Sequence, residues 1–300
     1  MSALPTRCGF VALIGAPNAG KSTLLNALVG AKVAIVTHKV QTTRSRIIGI
    51  VIEQASQLVF VDTPGIFEPR RRLDRAMVSA AWKGARDADL TALLIDVRKG
   101  FNDDVERILT GLEAAGSQTI LLLNKIDRVK KPTLLDLAAS FDRRGLFSRT
   151  FMISALNGDG VTDLKAYFAT AVPEGPWLYP EDQLSDITER LLASEMTREQ
   201  IYLRLHQELP YATTVETESW QEQEDGSLRI EQLIFVQRDS QKGIVIGKGG
   251  QALKAIGVAA RQEMERHFER RVHLSLYVKV SEKWAERPDH YSKIGLDFVK

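Results

Sequence analysis

The chain has 300 residues, with 40 Lys and Arg against 38 Asp and Glu, and its formal net charge of +2 by itself demands no polyanionic partner. At about 150 residues per domain, this length predicts two hydrophobic cores. The single cysteine, Cys8, excludes an internal disulfide. No apolar run reaches the roughly 18 residues of a spanning helix, and residues 1–9 lack a signal-peptide stretch. We therefore expect a cytoplasmic protein, and these features leave peripheral membrane contact open.

The first motif follows an apolar, strand-like run at residues 10–14 and leads into a helical pattern at 22–29. This order is typical of a phosphate-binding loop, where backbone N–H groups and a helix N-terminus face phosphate oxygens. Lys21 would reach the β and γ phosphates, and the Ser22 hydroxyl would sit on a bridging Mg²⁺ ion. An ordinary glycine turn is the alternative, and the later motifs disfavour it. The predicted nucleotide-binding residues here are Gly15, Ala16, Pro17, Asn18, Ala19, Gly20, Lys21, Ser22 and Thr23.

A second motif closes the strand-like run at 57–61. Asp62 stands at the carboxyl end of this strand, where α/β sheets place their ligands, and we expect it to hold Mg²⁺ through water. The Gly65 N–H can approach the γ-phosphate because glycine has no side chain. The predicted nucleotide-binding residues of this motif are Asp62, Thr63, Pro64, Gly65 and Ile66.

The third motif indicates which base is bound. Asn124, Lys125 and Asp127 follow the apolar run at 119–123. The two carboxylate oxygens of Asp127 suit the ring N–H and the exocyclic amine of guanine, whereas adenine would leave a buried acceptor unpaired. After a further short strand come Ser154, Ala155 and Leu156, where the Ala155 N–H is placed to donate to the guanine oxygen.

With these motifs in this order, the first half of the chain resembles the translation-factor-related class of P-loop GTPases. By that resemblance, the segment from Gln41 to Arg44 is the switch I threonine motif. The resemblance implies that Thr43 joins Ser22 on Mg²⁺ when the γ-phosphate is present, with Thr42 as the alternative. GTP and GDP are the implied ligands.

Two positions carry a mechanistic expectation within this resemblance. Ile66 stands where Ras-like enzymes hold a glutamine that orients the attacking water, so we expect slow intrinsic hydrolysis. Asn18 resembles an asparagine that helps related GTPases bind K⁺ beside the phosphates, which predicts stimulation by potassium. The expected catalytic residues are therefore Asn18, Lys21, Thr43 and Gly65.

The first domain, predicted at residues 1–172, is of the α/β class. Its strand patterns alternate mostly with helical patterns, which predicts a mostly parallel six-stranded sheet with helices on both faces. The short gap between the second and third strands predicts one antiparallel hairpin. The predicted strands lie near 8–14, 47–54, 57–62, 90–96, 119–123 and 150–153, and the predicted helices at 22–29, 73–86, 103–115 and 161–171.

Three prolines make residues 173–181 a semi-rigid linker. After it, residues 182–300 are predicted as a smaller α+β domain. Asp186 and Glu189 have the spacing of a capping box that opens a helix at 186–208. Next we expect a hairpin with strands at 213–223 and 227–237, a glycine loop between helices, a helix at 251–268 and a strand at 272–280. This order resembles a type II KH domain.

The glycine loop at 247–250 is the Gly-x-x-Gly sequence of that fold, where single-stranded nucleotides lie against a bare backbone. Residues 240–300 carry more basic than acidic side chains, whereas residues 182–239 are acidic. We therefore expect RNA phosphates to contact residues 240–300 of this domain. The predicted RNA-binding residues are Lys242, Ile244, Ile246, Gly247, Lys248, Gly249, Gly250 and Lys254.

The combination of these two domains resembles the Era family, the GTPases of small ribosomal subunit assembly. That resemblance implies binding near the 3′ end of 16S rRNA, a role in its processing and in 30S subunit maturation, and some association with the inner membrane. We also expect a monomer. Two alternatives remain: the C-terminal domain docks protein or membrane, as its acidic first half would allow, or the chain is an RNA-binding factor that turns over little GTP, as Ile66 would allow.

Overall fold

The structure is a computed structural model, and it describes residues 5–116, 118–205, 209–282, 284–286, 288, 291 and 295–298. The chain forms two compact units. The first lies within Met1–Ala34, Thr43–Asp186 and Ser292–Lys300, and the second within Ile35–Thr42 and Ile187–Tyr291.

A six-stranded sheet organises the first unit, in the order β2-β3-β1-β4-β5-β6. Its described strands all pair in parallel except β2 with β3, which form the predicted antiparallel hairpin. Central strands of this kind are buried on both faces and therefore read as apolar runs in the sequence. The strands are β1 (Arg7–Gly15), β2 (Ile47–Glu53), β3 (Ser56–Asp62), β4 (Leu90–Asp96), β5 (Thr119–Asn124) and β6 (Phe147–Ile153). The predicted fold class is confirmed.

Helices cover both faces of this sheet through two separate apolar clusters. They are α1 (Lys21–Val29), α2 (Arg72–Asp87), α3 (Asp103–Ala115), α4 (Lys131–Asp142) and α5 (Val161–Ala171). The sequence analysis missed α4. This helix buries only Leu134 and Phe141, so its amphipathic pattern is weak, and a proline in its first turn resembles a loop signal.

The proline-rich segment lies along the β2–β3 hairpin. The buried amide of Gln57 donates from Nε2 to the Tyr179 carbonyl (2.7 Å) and accepts from the Leu178 N–H at 2.8 Å. Further on, the Ile50 N–H donates to the Leu184 carbonyl at 2.8 Å. The segment predicted as a linker therefore belongs to the first unit, which extends to Asp186.

The second unit has the element order helix, two strands, two helices and strand. Its elements are α6 (Glu189–Arg204), β7 (Thr214–Glu222), β8 (Leu228–Val236), α7 (Asp239–Ile246), α8 (Gln251–Phe268) and β9 (Val272–Val280). In its sheet, of order β7-β8-β9, β8 pairs antiparallel with β7 and parallel with β9. Among the described residues, no helix is long and apolar enough to cross a membrane.

The predicted capping box at the start of α6 is wrong. Thr188 caps the helix, because its side chain accepts from the Leu191 N–H. The Asp186 carboxylate instead accepts from the Ile48 N–H at 3.3 Å, within the first unit. The spacing of Asp186 and Glu189 could not show this, because the true partner of Asp186, the Ile48 N–H on β2, is distant in sequence. The last part of the predicted helix, 206–208, lies outside the described residues.

Candidate functional site: a nucleotide-binding edge and a nucleic-acid groove

Four predicted segments meet at one edge of the first unit's sheet. Residues 15–23 form the turn from β1 into α1, residues 62–66 follow β3, residues 124–127 follow β5, and residues 154–156 follow β6. Because carboxyl ends of parallel strands lie at the same edge, chain segments far apart in sequence converge there.

The β1–α1 turn is built around a close backbone approach. Gly20 has a φ of 105°, and a Cβ at this position would lie 2.3 Å from Nδ2 of Asn124. Lys21 is buried, with its ammonium group donating to the carbonyls of Gly15 at 3.2 Å and Ala16 at 3.3 Å. Burial lowers the pKa of Lys21 to about 8, because a charged ammonium is poorly solvated there. A negatively charged ligand would favour the charged form of Lys21.

An oxygen cluster lies beside this turn. The Ser22 hydroxyl donates to Oδ2 of Asp62 at 2.6 Å and lies 2.8 Å from the Thr43 hydroxyl, which is 3.3 Å from the same carboxylate oxygen. The other oxygen, Oδ1, is buried and has no hydrogen-bond partner among the described residues. Burial also raises the pKa of Asp62. Hydroxyl and carboxylate oxygens with an unsatisfied buried acceptor fit a hard cation such as Mg²⁺.

The cluster also separates two neighbouring threonines. Thr43 points at Ser22 and Asp62, whereas the Thr42 hydroxyl is 2.6 Å from the Thr37 hydroxyl. Of these two threonines, Thr43 is the one whose hydroxyl lies beside Ser22 and Asp62.

Asn124 and Lys125 brace the phosphate-binding turn. Asn124 Nδ2 donates to the Ala19 carbonyl at 2.8 Å, and Lys125 Nζ donates to the Asn18 carbonyl at 2.6 Å. Lys125 also contacts Oδ2 of Asp96 at 2.8 Å. The sequence analysis missed Asp96, although its place at the end of an apolar strand was a usable signal.

Asp96 holds its negative charge strongly. Burial opposes that charge, but hydrogen bonds from Arg98 and Lys125 outweigh it and lower the pKa of Asp96 to about 2. Asp96 therefore keeps its negative charge at physiological pH.

The residues predicted to recognise the base are hydrogen-bonded to each other. Oδ1 of Asp127 accepts from the Ser154 hydroxyl at 2.8 Å. The Ala155 N–H, predicted to donate to a guanine oxygen, donates here to Oδ1 of Asn124 at 3.0 Å. A guanine bound at this point would have to share or replace that acceptor. The Leu156 side chain is 70% exposed, so it can lie over a flat base.

Residues after β3 fold back over the turn. The Thr63 hydroxyl donates to the Leu13 carbonyl at 2.8 Å, and the Ile66 N–H donates to the Gly15 carbonyl at 3.1 Å. The Ile66 side chain is fully buried in the apolar cluster on the α2–α3 face. It therefore cannot hold a water molecule beside the phosphates.

The second unit carries the glycine loop between α7 and α8. Gly247 has a φ of 72°, and a Cβ there would lie 2.7 Å from the Cβ of Ala252. The following Lys248 side chain is exposed. This backbone is therefore open to a ligand, with a cation at its tip.

A groove of about 380 Å³ runs from this loop along α8 and β9. Its lining residues are Gly250, Leu253, Lys254, Gly257, Val258, Arg261, Leu274 and Leu276. The walls are apolar at the centre and carry Lys254 and Arg261. Lys242, Ile244 and Ile246, which were also predicted to bind RNA, lie on α7, the helix that directly precedes the glycine loop. The sequence analysis missed four groove residues on α8, namely Leu253, Gly257, Val258 and Arg261. They could have been found from Gly250 by helical spacing, because residues three or four positions apart lie on the same face of a helix.

The fold and the first site define a P-loop GTPase, and the second unit has the loop, groove and sheet order of a KH domain. Two family comparisons agree: the family described as 50S ribosome-binding GTPase matches residues 10–125, and the KH domain family matches residues 208–285. The chain belongs to the Era family of GTPases, as relatives that are 60% identical over 99% of this chain show.

Full-length relatives support this membership. GTPase Era of Rhizobium meliloti is 60% identical over 298 residues, covering 99% of this chain and 95% of the relative. GTPase Era of Brucella suis is 60% identical over 296 residues, again covering 99% and 95%.

Two solved structures are similar over nearly the whole chain. One is Era in complex with MgGDPNP and nucleotides 1506–1542 of 16S ribosomal RNA, with a TM-score of 0.92, 36% identity and coverage of 97% of this chain and 99% of that one. The other is an Aquifex aeolicus Era variant bound to GDP and AlF₄⁻, with a TM-score of 0.91 and 36% identity over the same shares.

Proposed function

We propose that this protein is a GTP-hydrolysing switch whose KH unit binds 16S rRNA near its 3′ end and acts in 16S rRNA processing and 30S subunit biogenesis. The observation that carries the RNA part is the groove of α8 and β9, because it joins an open glycine backbone to an apolar floor and two cationic side chains. Such a groove suits unstacked bases with the phosphates along its edge. The Era–RNA complex described above supports the same assignment.

In the first unit, the proposed nucleotide contacts come from residues 15–23, 62–66, 124, 125, 127 and 154–156. Ser22, Thr43 and Asp62 would hold Mg²⁺, which supplies charge neutralisation between the β and γ phosphates. Lys21 places its charge against the phosphates, whose negative charge would raise its pKa again and so oppose the effect of burial. The Gly65 N–H and the Thr43 hydroxyl respond to the γ-phosphate and thereby make the site sensitive to hydrolysis.

Hydrolysis at this site is slow without a further activator. Ile66 is apolar and buried, so no side chain at that position orients the attacking water. Asn18, at the tip of the turn, is the residue we assign to K⁺. Turnover measured in equimolar KCl and NaCl tests this: faster turnover in KCl that is lost in Asn18→Ala supports the assignment, and equal rates in both salts contradict it.

The proposed cytoplasmic location follows from the sequence features described first, whereas peripheral contact with the inner membrane rests on the family resemblance; a monomeric state is also proposed. Co-sedimentation with vesicles of phosphatidylethanolamine and phosphatidylglycerol tests the membrane contact, and sedimentation velocity tests the monomer. Dimer formation at micromolar concentration, or absence from the vesicle pellet, would contradict the corresponding proposal.

The decisive experiment for RNA binding uses a labelled single-stranded RNA with the sequence of the 16S 3′ end. Its affinity is measured with GDP, with GDPNP, and for Lys248→Glu, with Arg190→Glu as the matched surface control. We expect affinity that depends on the nucleotide and is lost in Lys248→Glu. Absence of binding in every state would instead favour a protein- or membrane-docking role for the second unit.

A further inference from the structure

Positive charge is concentrated on and just before α2 of the first unit. Residues 70–86 contain six Lys and Arg and one Asp, a net charge of +5, whereas the whole chain has a net charge of +2. The single acid, Asp74, is buried and accepts hydrogen bonds from the backbone N–H groups of Arg70 and Arg71. The six cationic side chains, here termed the α2 stripe, are Arg70, Arg71, Arg72, Arg75, Lys83 and Arg86.

The α2 stripe lies on the outside of the first unit. Five of its members are exposed, and Arg72 is half-buried. Arg75 and Lys83 are eight residues apart and Arg86 follows three residues later, which places them on one face of the helix. The stripe therefore runs along most of α2, a length of about 24 Å for 16 residues.

This arrangement does not stabilise the helix that carries it. Arg71 is the N-cap and Arg72 the first residue of α2, where the helix dipole favours anions over cations. Like charges three or four residues apart, such as Arg71 with Arg75 and Lys83 with Arg86, repel each other. Alternating signs are typical of a helix face that is only solvated. A negatively charged partner would relieve the repulsion along the stripe.

Two side chains from residues 295–298, which belong to the same unit as α2, show which groups the stripe accepts. Oδ2 of Asp297 lies 3.4 Å from Nζ of Lys83, and the Arg72 guanidinium lies 4.9 Å from the centre of the Phe298 ring. RNA offers the same two kinds of group, an anionic phosphate and a flat aromatic base. The Lys83–Asp297 pair is exposed and screened by solvent, so a phosphate can replace the carboxylate.

The side chains of α2 favour RNA over a lipid surface. A helix that lies on a membrane presents Trp, Phe or Leu beside its cations. Among the described residues, none of the exposed large hydrophobic side chains lies on α2, and Trp82 packs against the apolar cluster beneath the helix. Arginine, which supplies five of the six cations, matches phosphate geometry with its planar fork.

We propose that the α2 stripe is a second RNA-binding surface, which contacts the phosphate backbone without reading sequence. Phosphate contacts of this kind add affinity that depends strongly on salt, whereas base contacts in the groove of α8 and β9 supply specificity. The inference rests on the proposed function, because the RNA is the partner proposed for the second unit.

The test measures binding of the full chain to two labelled RNAs of equal length, the 16S 3′-end sequence and a scrambled sequence, across a series of KCl concentrations. The stripe variant is Arg70→Gln/Arg75→Gln/Arg86→Gln. The control variant removes three exposed charges elsewhere in the first unit, so that the net charge is matched; it is Lys131→Gln/Arg143→Gln/Arg149→Gln.

Loss of three phosphate contacts predicts a slope of log K against log salt that is smaller by about 2, at about 0.7 per contact on single strands. At low salt, the affinity of the stripe variant for both RNAs should fall by about tenfold, since phosphates carry no sequence. Arg75→Gln alone should lower the slope by about 0.7. The control variant should keep the wild-type slope, and both triple variants should keep the thermal stability and GDP affinity of the wild type.

Gly257→Leu, measured in parallel, separates this inference from the proposed function. If Gly257→Leu loses the preference for the 16S sequence but the stripe variant binds as the control variant does, the groove assignment stands and the stripe has no RNA role. If the stripe variant has the smaller slope but the wild type shows no preference for the 16S sequence, the stripe is confirmed and the groove assignment fails. Unchanged RNA binding by the stripe variant, with lost binding to phosphatidylglycerol vesicles, would assign the stripe to lipid and overturn the proposal.

Discussion

Nζ of Lys125 lies 2.8 Å from Oδ2 of Asp96, at the carboxyl ends of the neighbouring strands β5 and β4. The same ammonium group donates to the Asn18 carbonyl at 2.6 Å, so a charge on one strand helps fix the phosphate-binding turn. Asp96→Asn removes that charge. We expect this substitution to weaken binding of GTP and GDP alike, because Asp96 and Lys125 fix the turn itself, which both nucleotides would contact whether or not a γ-phosphate is present. Isothermal calorimetry with both nucleotides measures it, and a selective loss of one nucleotide would contradict the prediction.

Asp96 also predicts a pH dependence of stability. Its pKa in the folded protein is about 2, below the ordinary value of 3.8, so its ionised form stabilises the fold above about pH 4. That contribution, on the order of 1–2 kcal/mol, is lost as pH falls from about 4 to about 2. In urea unfolding between pH 7 and pH 2.5, the difference in free energy of unfolding between the wild type and Asp96→Asn should therefore shrink as the pH falls below about 4. Asp104→Asn, which breaks only an exposed pair with Arg107, is the control and should change the free energy of unfolding by less than about 0.5 kcal/mol.

Lys21 predicts a pH dependence of nucleotide binding. Burial lowers its pKa to about 8 in the ligand-free protein, and bound phosphates would raise it again. Binding should then take up a proton, and affinity should fall as pH rises above about 8. Calorimetry at pH 7, 8 and 9 in two buffers of different protonation enthalpy measures both effects. Constant affinity with no proton uptake up to pH 9 would contradict the prediction.

Gly20→Ala tests the close approach within the turn. The added Cβ would lie 2.3 Å from Nδ2 of Asn124 at a φ of 105°, so Asn124 must move and its hydrogen bond to the Ala19 carbonyl is lost. We expect nucleotide binding to be abolished and the free energy of unfolding to fall by roughly 1–3 kcal/mol. Gly30→Ala is the control at the other end of α1, where φ is 76° and no atom lies within 4 Å of the added Cβ. It should cost only about 1–2 kcal/mol of backbone strain and leave binding intact.

Ile66→Gln tests whether a glutamine alone would speed hydrolysis. Ile66 is fully buried, so the new amide must either desolvate within the apolar cluster or displace the chain. We expect no gain in single-turnover GTP hydrolysis and a loss of roughly 1–3 kcal/mol in stability. Ile66→Val keeps the apolar character and should stay near the wild type in both measurements. A large rate increase in a stable Ile66→Gln variant would contradict the prediction, because it would show that a side chain at this position can orient the attacking water.

Gly257→Leu tests the groove of the second unit. Gly257 lines the groove, and a Cβ there would lie 3.4 Å from Cδ1 of Leu276, so a leucine side chain fits the helix but fills the space for a base. RNA affinity should fall by more than tenfold while thermal stability is kept or increased, since leucine favours helix more than glycine does. Ala255→Leu places the same side chain at an exposed position of α8 and should bind RNA as the wild type does. Equal binding by both variants would remove the groove from the RNA site.

Local patterns in the sequence were enough for the family, the fold class and most elements. The apolar runs before Asp62 and Asn124 marked buried strands, and the rule that ligands bind at the carboxyl ends of parallel strands then placed these residues near Lys21. The bounds of α8 and β9 followed from their periodicities. These features depend on backbone geometry over a few residues, which is why sequence alone carries them.

Tertiary structure decided the contacts between residues far apart in sequence. The choice of Thr43 over Thr42 at the oxygen cluster, the Asp96 brace on Lys125, and the seating of the proline-rich segment on Gln57 all depend on which surfaces pack together. The contact of Arg198 with the Thr42 carbonyl joins residues separated by 156 positions. No periodicity in the sequence encodes such a pairing, since it follows from the packing of whole elements. Sequence by itself therefore determined the chemistry that this protein carries, and the tertiary structure determined which atoms hold that chemistry in place.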